Sequence, residues 1–243
     1  MQAILLAAGL GTRLQPLTND RPKALVQCGE KTLLDHAIGY LITQGISYVI
    51  VNVHHFGDQI IDHISRRSYP VPVVVSDERE LLMDTGGALV SALPLMNDER
   101  EILIFNTDVL TNLELRGMYR KHEEEGLDAT LLVEDRESSR KLAFSEKGLL
   151  TGWKNYKTGE TIGDIQEESA MMAFGGIHII SLDMIRDFQR QSGTRPFSVI
   201  TAYLNATERF RIGRYIIPEG TIWLETGSPE RLEASASYLH RLG

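Results

Sequence analysis

MQAILLAAGLGTRLQPLTNDRPKALV, residues 1–26, decides how the rest of the chain is read. Residues 3–6 form an apolar run, and Gly9 and Gly11 follow closely, the pattern of a buried strand feeding a glycine loop. Glycines lack a Cβ, so the N–H groups of such a loop can approach an anion closely. Arg13 adds a planar fork suited to phosphate oxygens, and Lys23, after the rigid Pro22, adds a point charge. Two familiar phosphate motifs are excluded. Leu14 stands where a dinucleotide fingerprint has its third glycine, and no Gly-Lys-Ser/Thr follows for a Walker A loop. A glycine pair alone is as often an ordinary turn; the full run of strand, G-x-G-T-R-L and P-K-A-L-V is far more specific for phosphate.

Composition narrows the classes. At 243 residues the chain can bury a substantial core, and 42% hydrophobic with 24% charged residues is the balance of a soluble globular protein. A net charge of -8 argues against a general nucleic-acid binder. Residues 9–31 nevertheless gather Arg13, Arg21, Lys23 and Lys31 against Asp20 and Glu30, a local basic patch for a small phosphorylated ligand. Cys28 is the single cysteine, which excludes an intrachain disulfide and fits a reducing cytoplasm. The apolar run 3–8 has no basic segment before it and reads as a strand, not a leader. No run approaches the ~18 apolar residues of a membrane helix. A soluble cytoplasmic protein is expected, without nucleic-acid or membrane partners; a homo-oligomer stays open.

Further strands are expected at Tyr48–Val53, Val71–Val75, Ile102–Phe105, Ala129–Val133 and Phe174–Ile180. Between the first two strands Leu33, Leu34, Ala37, Ile38, Leu41 and Ile42 make a helical stripe that Gly45 stops. Other helices are expected near 58–66, 86–93, 113–125, 181–191, 197–205 and 229–241. Such alternation implies βαβ units and a mainly parallel sheet covered on both faces. It loosens after about residue 134, where 142–157 reads as a hairpin turning at Lys147-Gly148. Residues 209–217 and Trp223–Glu225 read as two more strands. No linker or repeat interrupts the chain, so one domain is expected. Ligands of open α/β sheets gather beyond the carboxyl ends of the strands, so polar residues closing a strand are the first suspects.

Asp108, ending ILIFNTD, is such a residue: its carboxylate could hold a hard divalent ion, or merely cap the turn that follows. Asp84-Thr85-Gly86-Gly87 opens a helix; the glycines could let a flat base lie against backbone amides, while Asp84 or Thr85 caps the helix. In WLETGSPE, Ser228 and Pro229 are suited to the N-cap and first turn of the last helix, and Arg231 rules out a full capping box. His54, His55 and His63 match no zinc spacing, and no Ser-His-Asp set suggests a covalent route.

LAAGLGTRL…RPKALV resembles the signature of the sugar-1-phosphate nucleotidyltransferases, or nucleotide-diphospho-sugar pyrophosphorylases. The resemblance continues through VNVHHF, DTGGAL, FNTDVL and WLETGSPE, nearly the whole chain. It is strongest to bacterial mannose-1-phosphate guanylyltransferases and N-acetylmuramate-1-phosphate uridylyltransferases. It implies a three-layer α/β/α fold with a mostly parallel, Rossmann-like sheet, in a single domain over 1–243. Residues 1–134 would mainly bind nucleotide and 135–243 mainly sugar. It further implies that Ala7, Ala8, Gly9, Gly11, Thr12, Arg13 and Lys23 hold the triphosphate, Arg13 and Lys23 as catalytic cations. Thr85, Gly86 and Gly87 would face the base. Asn106, Lys154, Gly175 and Gly176 would meet the sugar phosphate, although Gly175 and Gly176 could equally mark a bulge. Asp108 and Glu225 would be the magnesium ligands. Glu225 departs from the family's aspartate by one methylene.

The implied substrates are a nucleoside triphosphate and a sugar 1-phosphate, with Mg²⁺ as cofactor. The sugar phosphate oxygen would attack the α-phosphorus in line with departing pyrophosphate. Its phosphate is already ionised near neutral pH, so charge neutralisation and positioning matter more than a general base. Two alternatives are a phosphocholine cytidylyltransferase, for which Trp153, Tyr156 and Phe174 would shape an aromatic pocket, and a non-catalytic subunit that binds nucleotide sugar.

Overall fold

Alternation along β1 (Gln2–Leu6) sets the architecture of the computed structural model, which describes residues 1–242. Ile4 packs on one face of the sheet, Ala3 and Leu5 on the other, and all three are fully buried. A two-residue-per-strand hairpin, β2 (Gln27–Cys28) and β3 (Lys31–Thr32), leads into α1 (Leu33–Thr43). Thr32 caps this helix by accepting from the Asp35 N–H at 3.1 Å, and Gly45 at φ 82° turns the chain away after it. Leu33, Leu34, Ala37, Ile38 and Leu41 are buried; each such aliphatic side chain contributes about 1.5–3 kcal/mol.

There follow β4 (Tyr48–Val53), α2 (Gly57–Ser65), β5 (Val73–Asp77), α3 (Asp84–Ala92), β6 (Glu101–Asn106), β7 (Val109–Thr111) and α4 (Leu115–Glu124). The second half holds β8 (Ala129–Glu134), β9 (Arg140–Phe144), β10 (Leu150–Asn155), β11 (Thr161–Gly163), β12 (Ala170–Ser181), α5 (Leu182–Ser192) and α6 (Val199–Ala206). It closes with β13 (Ile212–Ile216), β14 (Trp223–Glu225) and α7 (Pro229–Leu242).

One sheet of ten strands runs through both halves, in the order β11-β10-β9-β12-β6-β1-β4-β5, with β8 against β12 and β13 against β8. Its central strands β6, β1, β4 and β5 are parallel, and helices cover both faces, as the βαβ pattern predicts. β12 joins β6 antiparallel, so the hairpin β9–β10 and its neighbours extend the sheet with mixed pairing. Ile4, Ile50, Ile102 and Ile104 meet α3, α5 and α6 on one face; Leu5, Val49, Val51, Leu103 and Phe105 meet α1 and α4 on the other. A third cluster, Leu14, Val26, Cys28, Leu33, Leu110 and Leu232, ties the opening loop to β7 and α7.

The strands and helices lie where the pattern put them, displaced at most by a few residues at their ends. The two-residue strands β2 and β3, and the three-residue β7 and β11, went unpredicted because so short a run has no periodicity. Ser228 caps α7 as expected, accepting from the Arg231 N–H at 3.4 Å.

Candidate active site

The carboxyl ends of β1, β4 and β6 open into a cavity of about 420 Å³. Leu6, Ala7, Ala8, Gly9, Lys23 and Asn52 line it on one side, Leu82, Asp84, Thr85, Asn106, Thr107 and Asp108 on the other. The loop is held from beneath by Asn52, the polar residue near the end of β4. Its Oδ1 accepts from the Ala7 N–H at 2.7 Å and the Ala8 N–H at 3.3 Å. Gly9 has open space around it, so nothing stands between its backbone and a ligand. Gly11 serves differently: it sits at φ +65°, and a Cβ there would come within 2.9 Å of Thr18. Thr18 in turn donates to the Gly11 carbonyl at 2.9 Å, closing the loop. Leu14 is fully buried in the third cluster, so the residue that breaks the dinucleotide fingerprint is the loop's anchor in the core.

Lys23 and Asp108 form an ion pair across the cavity, both side chains largely covered. Thr107 donates to the Leu6 carbonyl at 3.0 Å and locks the end of β6 to the end of β1. Arg13 and Thr12 are exposed and outside the cavity lining. The Arg13 guanidinium instead lies against Gly227, where a Cβ would meet it at 3.2 Å. The opening loop and the WLETGSPE turn are thus neighbours in space, 214 residues apart in sequence.

Thr85 lines the cavity, but Gly86 and Gly87 face away from it. Both N–H groups donate to the Phe197 carbonyl, at 2.8 and 3.3 Å, and a Cβ on Gly86 would overlap the Phe197 ring. Thr85 also accepts from the Val199 N–H at 3.0 Å. This glycine pair permits close approach of residues 195–199, and Asp84 accepts from the Thr85 N–H of the first turn at 2.6 Å, as the capping pattern predicts. Asp84, at φ 56°, bends the chain into the helix and presents itself to the cavity.

On the second half, the register of β12 against β8 shifts between Phe174 and His178, the bulge that Gly175 and Gly176 foreshadow. Gly176 has φ +81° and abuts the Asn106 side chain; Gly175 abuts Trp223. Lys154 lies 5.1 Å from the Tyr156 ring centroid, a cation–π contact on β10, outside the cavity lining.

Glu225 lines a second cavity of about 330 Å³ with Glu134, Arg136, Trp223, Leu224 and Arg231. Arg136 donates to its Oε1 at 2.6 Å, and Arg231 pairs with Oε2. In the β7–β14 ladder Glu225 stands opposite Val109, one position from Asp108. Asp108 itself lies in the turn before β7, where its backbone carbonyl accepts from the Thr226 N–H at 2.9 Å. Among the described residues no group of three His, Cys, Asp or Glu side chains could hold a metal ion. Magnesium commonly takes one or two carboxylates and fills its shell with phosphate oxygens and water. Asp108, a hard oxygen donor beside the loop, fits that chemistry; Glu225 fits only after releasing two arginines.

Asn52, Arg136 and the buried Glu78 behind Asn52 were not singled out from the sequence. The signal for Asn52 was present: it is the polar residue near the end of an apolar strand, in YVIVNV. Arg136 gave no local signal.

Residues 2–144 match the nucleotidyl transferase family, and the chain belongs to it. It is 31% identical to the N-acetylmuramate alpha-1-phosphate uridylyltransferase of Caulobacter vibrioides, over 96% of this chain and 95% of that protein. It is also 31% identical to the D-glycero-alpha-D-manno-heptose 1-phosphate guanylyltransferase of Aneurinibacillus thermoaerophilus, over 61% of this chain and 68% of the relative. A crystal structure of UDP-glucose pyrophosphorylase complexed with UDP-glucose shares the fold, with TM-score 0.76, 16% identity and coverage of 100% and 99% of the two chains.

Proposed function

We propose that this chain joins a nucleoside triphosphate to a sugar 1-phosphate, giving a nucleotide sugar and pyrophosphate. The observation that carries the reading is the cavity at the ends of β1, β4 and β6, where free loop backbone, Lys23 and Asp108 converge. The Ala7–Gly9 loop and Lys23 hold the triphosphate, with Arg13 at the loop's outer edge. Thr85 and Asp84 stand on the side of the base, and Asn106, beside Gly176, meets the acceptor. Residues 1–134 mainly bind nucleotide and 135–243 mainly the sugar, within one domain.

Two polyanions must be brought together, so the work of these side chains is orientation and neutralisation of charge on the leaving pyrophosphate. Mg²⁺ is the fitting cofactor: Asp108 would hold it, and Glu225 would be a second ligand only if freed from its arginines. When bound, it supplies positive charge to the phosphoryl oxygens.

Overall similarity to the Caulobacter relative over nearly its whole length favours N-acetylmuramate 1-phosphate with UTP, with mannose 1-phosphate and GTP as the second pair to test. Pyrophosphate release measured for four nucleoside triphosphates against a panel of sugar 1-phosphates and phosphocholine tests the reading. One sugar phosphate should dominate; turnover of phosphocholine alone, or nucleotide-sugar binding with no turnover of any pair, would sink it.

A further inference from the structure

Behind the loop lies a carboxyl group that the proposed reaction does not use. Glu78, just after β5, is 5% exposed. Its Oε1 accepts from Asn52 Nδ2 at 3.3 Å, while its Oε2 is buried with no hydrogen-bond partner among the described residues. Asn52 must turn its oxygen toward Ala7 and Ala8, because both N–H groups donate to it. A flipped amide would set its NH₂ against two other donors. The acceptor that Glu78 offers to the far side of the same amide holds it in the required orientation.

We infer that Glu78 is a positioning residue for the nucleotide loop: its carboxyl accepts from Asn52 and so fixes the Ala7 and Ala8 N–H groups, and its ionisation, by placing an unpaired charge behind the loop, weakens nucleotide binding. The inference rests on the proposed nucleotide site. A neutral carboxyl leaves the unpartnered Oε2 uncharged; an ionised one puts charge on a buried oxygen with no donor, which costs more. That charge stands behind the loop and repels a triphosphate bound on its other side. Burial pushes this carboxyl up to about 7, with the Asn52 hydrogen bond and the Met83 N–H pulling the other way. The switch therefore falls near neutrality.

The other titratable groups around it are engaged elsewhere. On its own segment, Arg79 pairs with Asp77 and with Asp58 of α2. From β4, His54 Nδ1 contacts the Glu78 backbone carbonyl. Ahead of α3, Asp84 accepts from the Thr85 N–H at 2.6 Å. Across the cavity, Lys23 and Asp108 pair with each other.

Calorimetric titration of the full chain with UTP and with GTP, in Mg²⁺ and without acceptor, tests this at about pH 6, 7 and 8. The dissociation constant of the wild type should rise about fivefold across this range beyond the change seen in Glu78→Gln, whose amide cannot ionise. Glu78→Gln reports the part of the pH dependence that belongs to the nucleotide. Asn52→Ala should raise the constant about tenfold at every pH, through loss of the loop's anchor. Superimposed profiles for wild type and Glu78→Gln, or a Glu78→Gln that binds weakly at all three pH values, overturn the inference while leaving the site assignment intact. Failure of both nucleotides to bind the wild type overturns the site assignment itself.

Discussion

Asp108, in the turn just before β7, and Glu225, opposite Val109 at the end of β14, are near neighbours along the chain pairing, yet they keep different company. Asp108 faces the cavity of the opening loop and pairs with one lysine. Glu225 faces a neighbouring cavity and is gripped by two arginines, one from the β8–β9 connection and one from α7. The two are separated by their ion pairs: Lys23 holds one toward the first cavity, and Arg136 and Arg231 hold the other toward the second. A carboxylate's role is set by the cations that reach it as much as by its place in a motif. Glu78 completes the contrast as a buried carboxyl without a cation.

The largest effect should come from Asp108 in the first cavity and from Arg13 at the outer edge of its loop. Asp108→Asn or Arg13→Ala should leave a folded protein whose pyrophosphate release is ~100-fold slower or worse, as when one charge contact to a developing anion is lost. Near-native turnover in either variant would remove the distinction between the two cavities. Glu225→Ala is expected to act more mildly, raising the Mg²⁺ concentration for half-maximal rate about tenfold, the range seen when groups supporting a metal site are lost. An unaltered Mg²⁺ titration would confine Glu225 to bridging Arg136 and Arg231.

Glu78 provides a third measurement. Its folded-state value of about 7 exceeds the usual 4.5, so the native protein holds a proton that the unfolded chain gives up. Its contribution is fully present below about pH 4.5 and is lost as pH rises through 7, amounting to about 1–3 kcal/mol. Urea unfolding of wild type and Glu78→Gln between pH 5 and 8 should show the wild type losing stability relative to the variant. Parallel curves would mean that the carboxyl is not buried neutral. The smallest effect concerns Cys28, whose thiol burial pushes up and encloses. It should react with an exposed-thiol reagent only at the rate of unfolding; rapid labelling of the native protein would show that the cluster joining the loop to α7 is open.

Much of this was legible in the sequence, and what was not has a common cause. Apolar runs such as Ile4–Leu5 and Tyr48–Val53 announce strands because burial on two faces is a local property of the chain. The loop's composition also announced phosphate, since Gly9, Arg13 and Lys23 lie within fifteen residues of one another. Contacts made across long separations left no such trace. That Gly86 packs against Phe197, more than a hundred residues away, could not be read from the local pattern. Leu14 read as a missing glycine, although its function is to reach Leu232 and Leu110 in the core. The arginines on Glu225 come from positions whose local pattern is that of ordinary surface.

β12 runs for twelve residues and pairs with β6, β8 and β9, so the strands of residues 1–134 and those after them share one ladder. A hinge between the halves would have to break that ladder. The segments free of that pairing are the connections, and the exposed Leu10, Leu17 and Leu81 lie on two of them, 9–17 and 78–83.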